Sequence, residues 1–178
     1  MKRRFGRRPR AEGRRLLATP SLSPATYKNM LSTRLVHLIE NHAEELAEGL
    51  IERLRHSSRT VDFFYVPDDE LRQGAINIYR NLGDWLLNKT ETDVEYRYVQ
   101  VGMKRAEQGV GLTDFVWALV ITKENLWRFL QSHAHVDLVL ELYGELEFVQ
   151  LVDQFFDRAF YYATVGYQRV QGRAKRAA

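Results

Sequence analysis

Cysteine is absent from all 178 residues, which excludes disulfides, thiolate nucleophiles and cysteine-ligated zinc or iron–sulfur centres. That composition is compatible with a reducing, cytoplasmic setting. No uncharged apolar run reaches the roughly 18 residues that a membrane-spanning helix needs, so no span is expected. Catalytic signatures are missing as well: there is no serine-hydrolase elbow and no P-loop. A carboxylate-bridged di-iron bundle requires glutamate three residues before histidine on two helices, and none of the five histidines has a glutamate at that position. Gly109-Val110-Gly111 has the look of a phosphate loop, but it follows a helical pattern and no third glycine comes after it, so it reads as a helix terminator. The expectation is therefore a protein that is not an enzyme, with no metal and no cofactor. A globin-type haem sensor stays open as an alternative, with His37 or His42 as the axial histidine.

What is present begins with charge. The net +3 is unevenly spread, since residues 1–15 carry eight basic side chains against Glu12 alone and residues 169–178 carry four with no acid. With +7 and +4 at the ends, the overall +3 leaves −8 for residues 16–168. The body is acidic and the ends are basic. Residues 1–23 mix arginine clusters with glycine, proline and serine and cannot bury enough surface to offset the entropy of ordering, so they read as a disordered basic tail. The apolar stretch Leu16-Leu17-Ala18 is too short for a signal peptide. A polyanion-binding arm making weak nucleic-acid contact, a solubility tail, and a start at Met30 all remain open for this segment.

From Pro24 the apolar residues fall at helical spacing. Leu31, Leu35, Leu38, Ile39, Ala43, Leu46, Leu50, Ile51 and Leu54 predict one long amphipathic helix to about His56. An Asn41/Glu44 capping box could split it, but the periodicity runs through without interruption. Its outer face carries Glu40, Glu44, Glu48 and Glu52, which reads as a solvated stripe, with a metal or a basic partner as the functional alternatives. Residues 60–66, TVDFFYV, have strand propensity but no second strand to pair with. They read as a connector whose Phe63, Phe64 and Tyr65 plug the core. Pro67 and three acids open a helix carrying Leu71, Ala75, Ile78, Leu82, Trp85 and Leu86. The next helix is capped by Thr92 or Asp93, with Gly102 allowing close approach of a neighbouring backbone, and it stops at Gly109. A further helix restarts with Thr113 as cap and Leu112 as staple. Residues 132–137 form a loop, and a long helix closes the chain.

That last helix has two apolar stripes, one through Leu138, Leu142, Val149, Phe156, Phe160, Ala163 and Tyr167 and one through Phe148, Leu151, Phe155, Tyr162 and Gly166. A helix apolar on two faces is buried on two sides, so either it is central to the bundle or one face meets a partner. The expectation is a homodimer contact through Phe148, Phe155 and Tyr162. The fold class is all-α: a single bundle of about five helices over residues 24–168, with two long antiparallel helices at the ends of the domain and a basic tail at 169–178.

The segment RYVQVGMKRAEQGVGLTDFVWALVITKENLWRFL, residues 97–130, resembles the amino-terminal domain of the RsbRD type, the all-helical input module of bacterial stress-response co-antagonists. The likeness is carried by an arginine-containing helix, Gly109-Val110-Gly111-Leu112 with an acid at Asp114, the apolar block 116–119, and Leu126-Trp127. It extends over residues 27–167. The resemblance implies a dimeric, non-catalytic sensory or scaffolding domain with a signalling-protein partner. Arg97, Arg105, Trp117 and Trp127, two cations and two indoles on adjacent helices, are the candidate ligand site.

Overall fold

The computed structural model describes residues 24–133 and 139–177, and all regular structure among them is helical. Seven α-helices follow in order: α1 Pro24–Asn41, α2 Ala43–His56, α3 Asp68–Arg80, α4 Leu82–Leu87, α5 Glu91–Glu107, α6 Leu112–His133 and α7 Val139–Ala177. A 3₁₀ turn, Val61–Tyr65, links α2 to α3. The basic arm at 1–23, residues 134–137 of the expected loop and residue 138 lie outside the described residues. No helix among the described residues is long and apolar enough to cross a membrane.

Five expected helices become seven because two of them break. The first break is at His42, whose backbone leaves helical geometry at φ −112°, ψ 24°. Its N–H turns to the Ile39 carbonyl at 3.2 Å, which frees the Leu38 carbonyl to accept the His42 Nδ1–H at 2.7 Å. The break is thus made by a ring that takes over a ladder acceptor, and no Asn41 capping box is involved. Asn81 repeats the device between α3 and α4: its backbone sits at φ −114°, ψ 21°, and its side-chain amide donates to the Asn77 carbonyl at 2.8 Å. The two breaks touch, because Glu40 Oε1 accepts the Gly83 N–H at 2.9 Å. Apolar periodicity survives both, and Ile39, Ala43, Tyr79 and Leu82 are all fully buried.

Thr90, rather than Thr92 or Asp93, caps α5, in a reciprocal capping box with Asp93. Gly109 ends that helix at φ 76°, a left-handed conformation that glycine adopts without steric cost. Thr113 is not the cap of α6. The helix begins at Leu112, and Asp62 of the 3₁₀ turn accepts the Gly111 N–H at 2.7 Å. Asp114 in turn accepts the Asp62 N–H at 3.1 Å, so the turn and the start of α6 cap each other. Of the three aromatics expected to plug the core from this turn, only Phe63 does, while Phe64 and Tyr65 are 55% and 85% exposed. Successive residues of a tight turn point in different directions, so three adjacent rings cannot all face inward.

The helices close around one apolar core drawn from α1 through α7. Helices α5 and α7 form the most extensive pair, and glycine makes their contact possible. A Cβ on Gly102 would lie 1.8 Å from the Ala163 carbonyl oxygen, and one on Gly166 would lie 2.1 Å from that of Val99. Each helix therefore lays bare backbone against the other. Phe148 and Phe155 lie in this core, at 1% and 4% exposure, and Tyr162 is half-buried with its hydroxyl donating to Glu91 at 2.7 Å. Of the three residues offered as a dimer contact, Phe148 and Phe155 are thus covered within one chain, while Tyr162 keeps part of its surface. Helix α7 also continues to Ala177, so the expected tail at 169–178 is helical as far as that residue.

Candidate functional site

Between α3 and α5 lies a groove of about 510 Å³ whose lining includes Arg80, Arg97, Lys104 and Arg105, with Glu70 as its acid. Behind it, inside the bundle, is a smaller cavity of about 120 Å³ walled by Leu54, Ile78, Leu119, Phe156 and Phe160. Gly74, Arg97, Val101 and Arg105 line both. The helical register explains the arrangement. Arg97, Val101, Lys104 and Arg105 occur at spacings of three and four and so share one side of α5, while Val99 and Gly102 face α7.

The charges in the groove are partly satisfied. Glu70 accepts from Arg105, from Lys104 at 3.0 Å and from the Gln108 amide at 3.0 Å. Burial pushes the Glu70 carboxyl up, but hydrogen bonds from Arg105, Lys104 and Gln108 outweigh it and bring it down to about 2. Arg105 is 12% exposed at the side chain, and its guanidinium also lies over the Phe63 ring at 5.8 Å. Arg80 reaches out to Glu44 of α2. Arg97 is exposed, and its guanidinium donates to the neutral Asn77 Oδ1 at 3.4 Å.

Two of the four residues expected at a ligand site are therefore brought together, and two are not. Arg97 and Arg105 share the groove. Trp117 and Trp127 line neither hollow. They stand ten residues apart on α6, about 15 Å along its axis, and Trp117 is covered by the Arg59 guanidinium at 4.4 Å. Sequence reasoning missed Glu70 and Gly74, because α3 and α5 are separate in sequence and only packing sets them face to face. A glycine in the middle of a helical pattern, at position 74, was the available signal.

The glutamate stripe finds its basic partner inside the chain. Glu44 pairs with Arg80, and Glu48 takes Arg72 in two hydrogen bonds, at 2.6 and 3.1 Å. Glu40 serves the α4 backbone as described. The haem alternative fails on geometry: His37 is exposed, and His42 sits at the first helix break beside Phe129 and His133, with ring centroids at 5.3 and 5.8 Å. Neither lines the apolar cavity. No three metal-ligating side chains converge among the described residues.

No curated protein and no solved structure matches the chain. A family model does, over residues 44–178: the RsbT co-antagonist protein rsbRD N-terminal domain. That span takes in the α2–α3 ion pairs, the helix terminator at Gly109 and the whole α5–α7 contact. The chain belongs to the family of RsbT co-antagonist rsbRD N-terminal domains, which are stress-signalling sensory domains and not a known class of enzyme.

Proposed function

We propose that this chain is a non-catalytic signalling input or protein-interaction module in which a ligand or partner at the α3–α5 groove changes how the helices pack. One observation carries the reading: α5 forms the wall of the groove on one side and lies backbone to backbone on α7 on the other. Where Gly102 and Gly166 bring the two backbones together no side chain stands between them to absorb motion, so a shift of α5 is passed to α7 there rather than dissipated by rotamer changes. A bound species biases the bundle only by its differential affinity for two packings. Arg97 and Arg105 are the residues that meet it, and the output partner is a signalling protein that reads α7.

The test is native mass spectrometry on the untagged protein isolated from its own cells, followed by amide hydrogen exchange before and after removal of whatever co-purifies. Removal is expected to change exchange in α5 and α7 together. A change confined to α3 and α5, with α7 untouched, would overturn the coupling.

A further inference from the structure

We infer that the groove and the cavity behind it form one amphipathic site for a small carboxylate bearing a compact apolar group, either one aromatic ring or a short alkyl chain. The inference rests on the sensory reading for its biological meaning, but its physical basis is separate. Three features point to this ligand chemistry.

The first is charge. Four cations line the groove or its rim, and two carboxylates, Glu44 and Glu70, pair with three of them. Arg97 makes no ion pair among the described residues and lines both hollows. Its planar fork suits a carboxylate held in two hydrogen bonds.

The second is the size of the interior. A dry apolar cavity of about 150 Å³ is known to take a benzene ring. One of about 120 Å³, walled by leucine, isoleucine and phenylalanine, holds a group of that order and excludes a full lipid chain.

The third is Gly74. A glycine inside a helix is less stable there than alanine. The helical glycines at 49, 83, 102 and 166 each have a neighbour where a Cβ would stand, but a Cβ on Gly74, like one on Gly172 near the end of α7, would meet nothing within 4 Å, and of these two only Gly74 lines the groove and the cavity. Packing does not require glycine there. The residue lines both hollows, so its missing side chain keeps the passage between them open.

Isothermal titration of the full chain with phenylacetate and hexanoate tests the assignment, with acetate and inorganic phosphate as anions lacking the apolar group and benzyl alcohol as the apolar group lacking charge. The expected result is one site for phenylacetate or hexanoate, with affinity at least about tenfold above that of every control. Arg97→Gln should weaken that binding about tenfold. Gly74→Leu should abolish it while leaving the thermal midpoint equal or raised, because leucine is the better helix former. Affinity no better than that of acetate or phosphate, or phenylacetate binding that survives Gly74→Leu, would overturn the proposal. Hydrogen exchange with phenylacetate bound separates the two readings. Binding that leaves α7 exchange unchanged keeps the ligand class and sinks the coupling. An absence of binding, alongside an α7 response to a protein partner, sinks the ligand class and keeps the coupling.

Discussion

Glu70 holds two cations and an amide at once, and that geometry sets how the protein responds to acid. Its carboxyl lies at about 2 against an ordinary 4.5, so the fold favours the charged form. The stabilisation is complete above pH 4.5 and is lost as pH falls from there through about 2. Glu70→Gln is expected to cost at most about 3 kcal/mol at neutral pH, read as a lower urea midpoint. The gap between the two proteins should close as the pH approaches 2, because the wild-type carboxyl is then protonated too. A difference that persisted unchanged in acid would mean that the variant perturbs packing and not charge. Arg97, about two helix turns from Lys104 and Arg105, has no ion-pair partner among the described residues and donates only to the neutral Asn77.

Among the elements, α5 and α7 show how much depends on two missing side chains. Gly166→Ala would place a methyl group about 2.1 Å from the Val99 oxygen, and backbone cannot rotate away as a side chain can. The expected cost is about 3 kcal/mol, measured by thermal or chemical unfolding, with Gly102→Ala similar. Loss of stability far below that would show that the helices can separate without penalty, which would also weaken the case for transmission from the groove to α7. Elsewhere the elements are tied end to end by polar groups. The Thr60 hydroxyl, fully buried, donates to the Leu54 carbonyl near the end of α2 at 2.7 Å. Arg55 spans the Phe63 and Val66 carbonyls and Asp68, fastening the 3₁₀ turn between two helices. These ties keep the α2–α3 corner compact, and that corner carries the groove.

At the scale of the whole molecule, the two apolar stripes of α7 are largely taken up by the chain's own core. Phe148, Phe155 and Phe156 all sit in the chain's own core. Phe148→Ala is expected to remove about 3–5 kcal/mol from the unfolding free energy of the single chain. The denaturation midpoint should not depend on protein concentration. A variant that unfolded normally yet shifted the sedimenting mass would instead make Phe148 an interface residue. The ion pairs Lys123 to Asp153 at 2.8 Å and Arg158 to Glu91 at 3.1 Å continue the attachment of α7 to α6 and α5, so the helix is held within the bundle on more than one side.

The sequence by itself determined the class of the fold and most of its core. Apolar periodicity requires helices whatever their arrangement, the glycine pair of Gly109-Val110-Gly111 marks where one ends, and the absence of cysteine removes disulfide and thiolate chemistry. It also carried the family likeness, through the segment from Arg97 to Leu130. Only the tertiary structure decided where the helices break, because a single residue's departure from the ladder at His42 or Asn81 leaves the apolar spacing intact. Only the tertiary structure decided which face of α7 was already covered, since a stripe reads the same whether it meets its own chain or a second copy. The site was half legible for the same reason. Arg97 and Arg105 share a helix face that spacing reveals, whereas Glu70 and Gly74 join them across a groove between two helices that no local pattern encodes.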